Sequence, residues 1–279
     1  MPTLPSDTST PEPAPEPAIE PHRARAIAES FGADPARYDR TRPPYPAALI
    51  SRVLDVAPGR TILDVGGGTG IVARQFQAAG CTVLGVEPDA RMAEFARGTG
   101  IETEVARFEE WDPAGRTFDA VVAGTAWHWV EPVAGAEQAV RVLRPGGLFA
   151  PFHHVFQAPE EVGRALGEVY RRTIPDAPST DQPGGSAMDL YRPHFDKTAE
   201  TIRGTGGFSE PQEWHFEWQR VYTRDEWLDQ MPTQGLLTRL PADRRDELLA
   251  GVGAAIDALG GRFTMHYTTV AVAAVRNAA

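Results

Sequence analysis

The stretch TILDVGGGTG, Thr61 to Gly70, sets a short apolar run against four glycines in five residues, with Asp64 two places before the first of them. Glycine has no Cβ and reaches positive φ without strain, at an entropic cost, so such a cluster after a strand signals a turn where something lies close to the backbone. Next, IVARQFQAAG reads as a helix closed by Gly80, and CTVLGVE as a buried strand ending at Glu87. A helix opening on this turn presents unpaired N–H groups toward any ligand. The usual occupant of such a strand–helix turn is a dinucleotide, whose G-x-G-x-x-G pattern needs a third glycine for helix–strand packing. Gly66 and Gly68 fit that pattern, but Ile71 stands in the third place.

The rhythm continues downstream. Asp89 is placed to cap a helix over ARMAEFARG, IETEVARF and FDAVVAG are the third and fourth strands, and EPVAGAEQAVRVLRPGG leads through a helix to a fifth, LFAPF. Short buried strands alternating with helices predict a parallel sheet covered on both faces. The pattern then changes. PEEVGRALGEVYRRTI is helical, Pro175 to Pro193 reads as an irregular connection, and EWHFEWQRVYT alternates with Trp214, Phe216 and Trp218 on one face. Two helices, RDEWLDQM and PADRRDELLAGVGAAIDALGG, precede a last strand, FTMHYTTVAVAAV.

These readings divide the chain into a Pro/Glu-rich disordered tail over 1–22, a helical prelude or lid over 23–58, a ligand-binding core over 59–155, a cap over 156–210, and C-terminal strands and helices over 211–279 that complete the sheet. The prelude carries prolines at 43, 44 and 46, which hold an extended lead into the helix beginning at Ala47.

Composition removes several classes. Of 279 residues 42% are hydrophobic, enough to bury one large core, and the formal net charge of −11 repels a phosphate backbone, so no nucleic-acid partner is expected. Cys81 is the single cysteine, which rules out an internal disulfide. Neither a secretion-signal pattern nor a long uncharged apolar run is visible, so the expectation is a cytoplasmic chain without membrane contact. Oligomeric state leaves no mark in the sequence.

In ILDVGGGTG, VLGVEPDARM, FDAVVAGTAWHWV and VLRPGGLFA, taken in this order across Arg37 to Phe152, the chain resembles the class I S-adenosylmethionine-dependent methyltransferases. The segment RYDRTRPPYP is similar to the one that precedes the core in a bacterial small-molecule subgroup. The resemblance implies an α/β fold: a doubly wound, Rossmann-like, mainly parallel sheet with helices on both faces, an antiparallel last strand and a helical or irregular cap. It implies S-adenosyl-L-methionine as cofactor, S-adenosyl-L-homocysteine as product and a small-molecule methyl acceptor as partner. Carried over residue by residue, Glu87 accepts from the ribose hydroxyls, and the backbone at Gly66 and Gly68 passes the methionine and ribose portions. Asp64 organises the turn or reaches the amino group through water, and Met92 packs on the adenine. Phe108 offers its backbone N–H to the adenine, Glu109 accepts from the exocyclic amine, and Gly124 ends the fourth strand beside the cofactor. Arg107 stands where the family often has aspartate, and Met92 equally suits a helix core.

For the acceptor, the aromatic loop AGTAWHWV at the ligand end of the fourth strand offers Trp127 and Trp129 to line the pocket, the competing reading being that they pack under a helix, and Tyr38 is placed to close over the methionine portion. His128 is the candidate base, since imidazole titrates near neutrality; the competing reading turns its ring away to bond backbone. His153 and His154 follow the fifth strand, but no carboxylate motif of fixed spacing accompanies these histidines, and no metal is expected. Two function classes stand: an enzyme methylating O, N or C of a neutral or cationic metabolite, and a non-catalytic cofactor-binding regulatory or interaction protein. An NAD-dependent reductase is disfavoured by Ile71 and by the lack of a Tyr-x-x-x-Lys pattern.

Overall fold

The structure, a computed structural model, describes residues 22, 30–175, 186–235 and 237–278; the tail read over 1–22 lies outside the described residues except for His22. Helix α1 (Pro35–Thr41) starts where the Asp34 side chain accepts from the Arg37 backbone N–H, with Pro35 at its first position. After the extended prolines, α2 (Ala47–Val56) buries Leu49, Ile50 and Val53 on one face. Strand and helix then alternate through β1 (Thr61–Val65), α3 (Ile71–Ala78), β2 (Thr82–Glu87), α4 (Ala90–Gly98), β3 (Glu102–Val105), β4 (Phe118–Gly124), α5 (Pro132–Val142) and β5 (Leu143–Gln157). The chain closes with α6 (Glu160–Thr173), α7 (Ala187–Gly204), β6 (Gln212–Thr223), α8 (Arg224–Gln230), α9 (Ala242–Ala258) and β7 (Arg262–Val275).

The strands form one seven-stranded sheet in the order β3-β2-β1-β4-β5-β7-β6. Pairings among β1 to β5 are parallel, whereas β7 runs antiparallel to both β5 and β6, as expected of the last strand. Because successive strand residues face opposite sides, β1 feeds two cores. Leu63 and Val65 pack with α5 and α7, while Ile62 packs with Leu49 and Val53 of α2 and Phe76 of α3. A third cluster joins α6, α8 and α9 to the far halves of β6 and β7 through Val169, Trp227, Val252 and Phe263.

Two expectations are corrected. The fifth strand extends far beyond LFAPF to Gln157, because its pairing with β7 continues through Val155↔Thr268 and Gln157↔His266. The connection expected to stay irregular to Pro193 is helical from Ala187, and its residues 176–185 lie outside the described residues. Ser186 and Asp189 form a reciprocal capping box at the α7 N-terminus, and Phe195 and Ile202 are almost fully buried beneath it. Burying two large side chains contributes roughly 1.5–3 kcal/mol each, which offsets the ~3 kcal/mol that an interior proline costs a helix.

Candidate functional site

The chain leaves β1 for β2 on one side and reaches β4 on the other, so the glycine turn lies at the crevice where strand order reverses, the usual ligand position in such sheets. Gly66, Gly68 and Gly70 hold φ of 64°, 56° and 86°. The Gly66 N–H donates to the Val86 carbonyl at 2.8 Å, and a Cβ added at Gly66 would stand 2.6 Å from that of Ala126. At Gly68 a Cβ would meet no heavy atom within 4 Å, since the residue borders open space. Its backbone N–H donates to Glu87 Oε2 at 2.9 Å, while Asp89 N–H donates to Glu87 Oε1 at 2.9 Å. A carboxylate offers about four acceptor directions, so Glu87 keeps some free.

The two acids here are desolvated. Burial pushes Glu87 up to about 7, with the two backbone N–H groups and the Asp89 charge as smaller influences. Burial and the neighbouring Glu87 push Asp64 up to about 8; neither oxygen has a well-formed hydrogen bond, and the approach of the Ala73 backbone N–H lowers it only in part. Perturbed acids in a crevice mark a site where ligand charge or hydroxyl donors are wanted.

Of the residues singled out in the sequence, Tyr38, Asp64, Gly66, Gly68, Glu87, Met92, Phe108, Glu109, Gly124 and His128 all line one cavity of about 410 Å³. That is within the range of about 300–1,000 Å³ typical of small-molecule sites. Trp127 is the exception and is corrected: it is buried in the core, edge-on to Phe149 at 4.8 Å, because the 3-10 turn Trp127–Trp129 sends its first residue inward and leaves His128 and Trp129 facing the cavity.

Away from Glu87 the lining changes character, to Arg42, Trp129, His153, Phe156, Gln230 and Tyr267. Arg42 reaches the Thr233 carbonyl and lies 4.7 Å over the Tyr38 ring, while its Nε is buried without a partner. Burial pushes His128 down to about 3, helped by His194, so the ring is neutral at physiological pH and a weak proton acceptor. His153 and His154, adjacent in β5, face opposite sides. His154 stacks on Tyr45 at 4.2 Å and its Nδ1 lies 2.9 Å from Thr269 Oγ1, whereas His153 meets His128 and His194. The grouping of His128 and His153 with His194 of α7 was invisible in the sequence, which singled out His154 instead.

Other residues escaped the sequence reading too. Thr125 sits in the left-handed region at φ 53°, held by a hydrogen bond between its hydroxyl and that of Tyr45 at 2.8 Å and by its N–H donating to the Phe152 carbonyl. A non-glycine residue held there signals strain at a ligand site, and only the dihedral reveals it. The prelude packs across the opening: Phe31 contacts Tyr38 and Trp129, and Arg37 and Arg40 of α1 pair with Asp229 of α8 at 3.0 and 2.8 Å. These ion pairs are half exposed and contribute at most about 1 kcal/mol each, a weak latch.

A crevice of this kind, with a glycine turn on β1 and an acid ending β2, is that of an α/β nucleotide-type cofactor fold. Residues 63–151 match the methyltransferase domain family. An uncharacterized methyltransferase of Mycobacterium tuberculosis is 29% identical over 261 residues, covering 90% of this chain and 97% of that protein. Another, of Mycolicibacterium vanbaalenii, is 32% identical over 164 residues, 53% of this chain and 62% of that protein. Among solved structures, a proposed type II methyltransferase of Anaeromyxobacter dehalogenans shares the fold with TM-score 0.60 and 24% identity, covering 83% of this chain and 97% of that one. A proposed methyltransferase of an antibiotic biosynthesis pathway in Anabaena variabilis shares it with TM-score 0.56 and 13% identity, over 84% and 99%. The domain match and the similarity along 90% of the chain support a class I S-adenosylmethionine-dependent methyltransferase. Among its described residues, no helix is long and apolar enough to cross a membrane.

Proposed function

We propose that this methyltransferase moves the methyl group of S-adenosylmethionine to an oxygen, nitrogen or carbon of a small molecule bound at the aromatic, histidine-bordered end of the cavity. The observation that carries the reading is the continuity of one cavity from the Glu87–Gly68 corner to that end. The residues present fit the cofactor: Glu87 has acceptor capacity left for a ribose diol, the open space at Gly68 admits the ligand, and unsatisfied Asp64 lies where a cationic amino group or a water would satisfy it. Met92 and Phe108 supply an apolar surface for the adenine, with Glu109 and Gly124 beside them.

When bound, the cofactor supplies a sulfonium methyl: an acceptor lone pair forms the new bond as the carbon–sulfur bond breaks and its electron pair stays on sulfur. The chain's contribution is alignment and exclusion of water. Tyr38, Phe31 and Trp129 close the opening, so the described part of the prelude acts as the lid, while the acceptor end is bordered by Trp227, Gln230, Gln234 and Gly235 rather than by the cap expected over 156–210, which supplies only Phe156. The carboxylates of the lining, Asp64, Glu87, Asp89 and Glu109, gather at the cofactor end, whereas Arg42 and the histidines border the other. A cationic acceptor finds no acid there among the described residues, so the acceptor is neutral or acidic, which revises the neutral-or-cationic expectation. Incubating the protein with methyl-labelled cofactor and fractionated metabolites tests the reading. Label appearing in one small molecule, with S-adenosylhomocysteine formed in equal amount, is expected; cofactor binding with no labelled product from any fraction would show a non-catalytic binding protein instead.

A further inference from the structure

Three histidines from three separate elements meet beside the acceptor end: His128 from the turn after β4, His153 from β5 and His194 from α7. One ring nitrogen of each lies within 4.8 Å of those of the others. The ring centroids are 5.4, 5.7 and 5.7 Å apart with interplanar angles of 71°, 84° and 61°, so the rings converge edge to face around a common point rather than stacking. His128 Nδ1 is buried with no hydrogen-bond partner, the condition of a donor atom awaiting a ligand.

We propose that His128, His153 and His194 form a site for a divalent transition-metal ion of the zinc type, whose fourth position holds the acceptor's hydroxyl, a phenol above all. Three neutral nitrogens with no carboxylate suit zinc, cobalt, nickel or copper rather than magnesium or calcium. Burial keeps all three rings uncharged at neutral pH, so each has a lone pair to give. Zinc–nitrogen bonds of about 2.0–2.1 Å bring tetrahedral ligand nitrogens to about 3.3 Å from one another, so binding draws the three nitrogens together by up to about 1.5 Å. His128 and His153 line the main cavity while His194 lines a smaller pocket behind His153, so the vacant coordination position faces the cavity.

The inference rests on the proposed function and narrows it. A dication on three neutral ligands lowers the pKa of a hydroxyl at its fourth position, as bound water falls from 15.7 to about 7 on catalytic zinc. The acceptor's proton leaves to solvent, its oxygen lone pair forms the bond to the methyl carbon, and the carbon–sulfur pair stays on sulfur. His128 therefore acts as a ligand, which agrees better with its weak basicity than removal of a proton does. Trp129, Phe156 and Tyr267 border the cavity with rings suited to an aromatic acceptor.

The test uses the full chain stripped with a chelator and titrated with zinc by calorimetry and with cobalt(II) by visible absorption. One ion per chain and a tetrahedral cobalt spectrum are expected. His153→Ala and His194→Ala should each weaken binding at least about a hundredfold, since even groups that merely orient ligands cost 10- to 100-fold, while exposed His266→Ala on β7 leaves it unchanged. S-adenosylmethionine titrated into the same samples reports folding and separates the two claims. Cofactor binding without zinc binding, or equal zinc binding by His194→Ala, overturns the metal site and leaves the methyltransferase reading standing. Zinc binding that depends on the histidines, without cofactor binding, keeps the site and removes the function proposed for it.

Discussion

Replacing Asp64 by asparagine should flatten the pH dependence of cofactor affinity. In the free protein Asp64 titrates at about 8 and Glu87 at about 7, both raised chiefly by burial. A bound ligand with a sulfonium, an ammonium and two ribose hydroxyls favours the ionised carboxylates, returning both toward the ordinary range near about 4. Binding then releases protons, so affinity rises with pH. At pH 6 ionisation costs roughly 2.7 kcal/mol for Asp64 and 1.4 for Glu87, at about 1.36 kcal/mol per unit; by pH 8 only about 0.4 remains, nearly all from Asp64. The parent should therefore bind S-adenosylmethionine about 10²- to 10³-fold more tightly at pH 8 than at pH 6, whereas Asp64→Asn should gain only about tenfold, the part due to Glu87. Calorimetry in two buffers of different ionisation enthalpy at pH 7 should show between about one and two protons released by the parent and about one fewer by the variant. The cofactor's own amino group also titrates, near about 8, but identically in both, so their difference isolates Asp64. Equal pH slopes for parent and variant, or a parent affinity flat from pH 6 to 8, would refute the reasoning.

Glu87→Ala should weaken cofactor binding by about 1.5–3 kcal/mol, the range for hydrogen bonds to a charged group, with an unchanged circular dichroism spectrum; parent-like affinity would remove Glu87 from the site. Trp127→Ala should lower unfolding free energy by about 3–5 kcal/mol as a core truncation, while Trp129→Ala leaves the melting temperature near the parent's and lowers kcat/KM; the opposite assignment would place Trp127 in the pocket. Stability without cofactor should peak near pH 6.5. Histidines 128, 153, 154 and 194 have depressed folded pKa values, so their contribution is present above about 6.5 and lost as pH falls. Asp64 and Glu87 have raised ones, so theirs is lost as pH rises through about 7 and 8. Below about 6.5 four histidines outweigh two acids, and above it the acids dominate. Melting curves at fixed ionic strength check this, and a monotonic rise to pH 8.5 contradicts it.

What the sequence alone determined is local. The apolar run before the glycines, the cap at Asp89 and the alternation of β6 each act within a few residues, and each of these elements formed where its pattern predicted. Asp64 and Glu87 stand at or near the ends of two strands and Gly68 lies in the turn after the first, so all three positions were legible from a local pattern, a strand running into a turn whose backbone needs glycine. Tertiary structure decided the rest. No period in the chain says that Trp127 enters the core while Trp129 stays in the pocket, since the split depends on Phe149 being there to receive the ring. Helix α7 survives Pro193 because burial under it outweighs the proline. His194 reaches His153 and His128 only because that helix packs against β5. Charge and ligand geometry among residues tens of places apart arise when the sheet brings them within a few ångströms and excludes the water that would otherwise separate them.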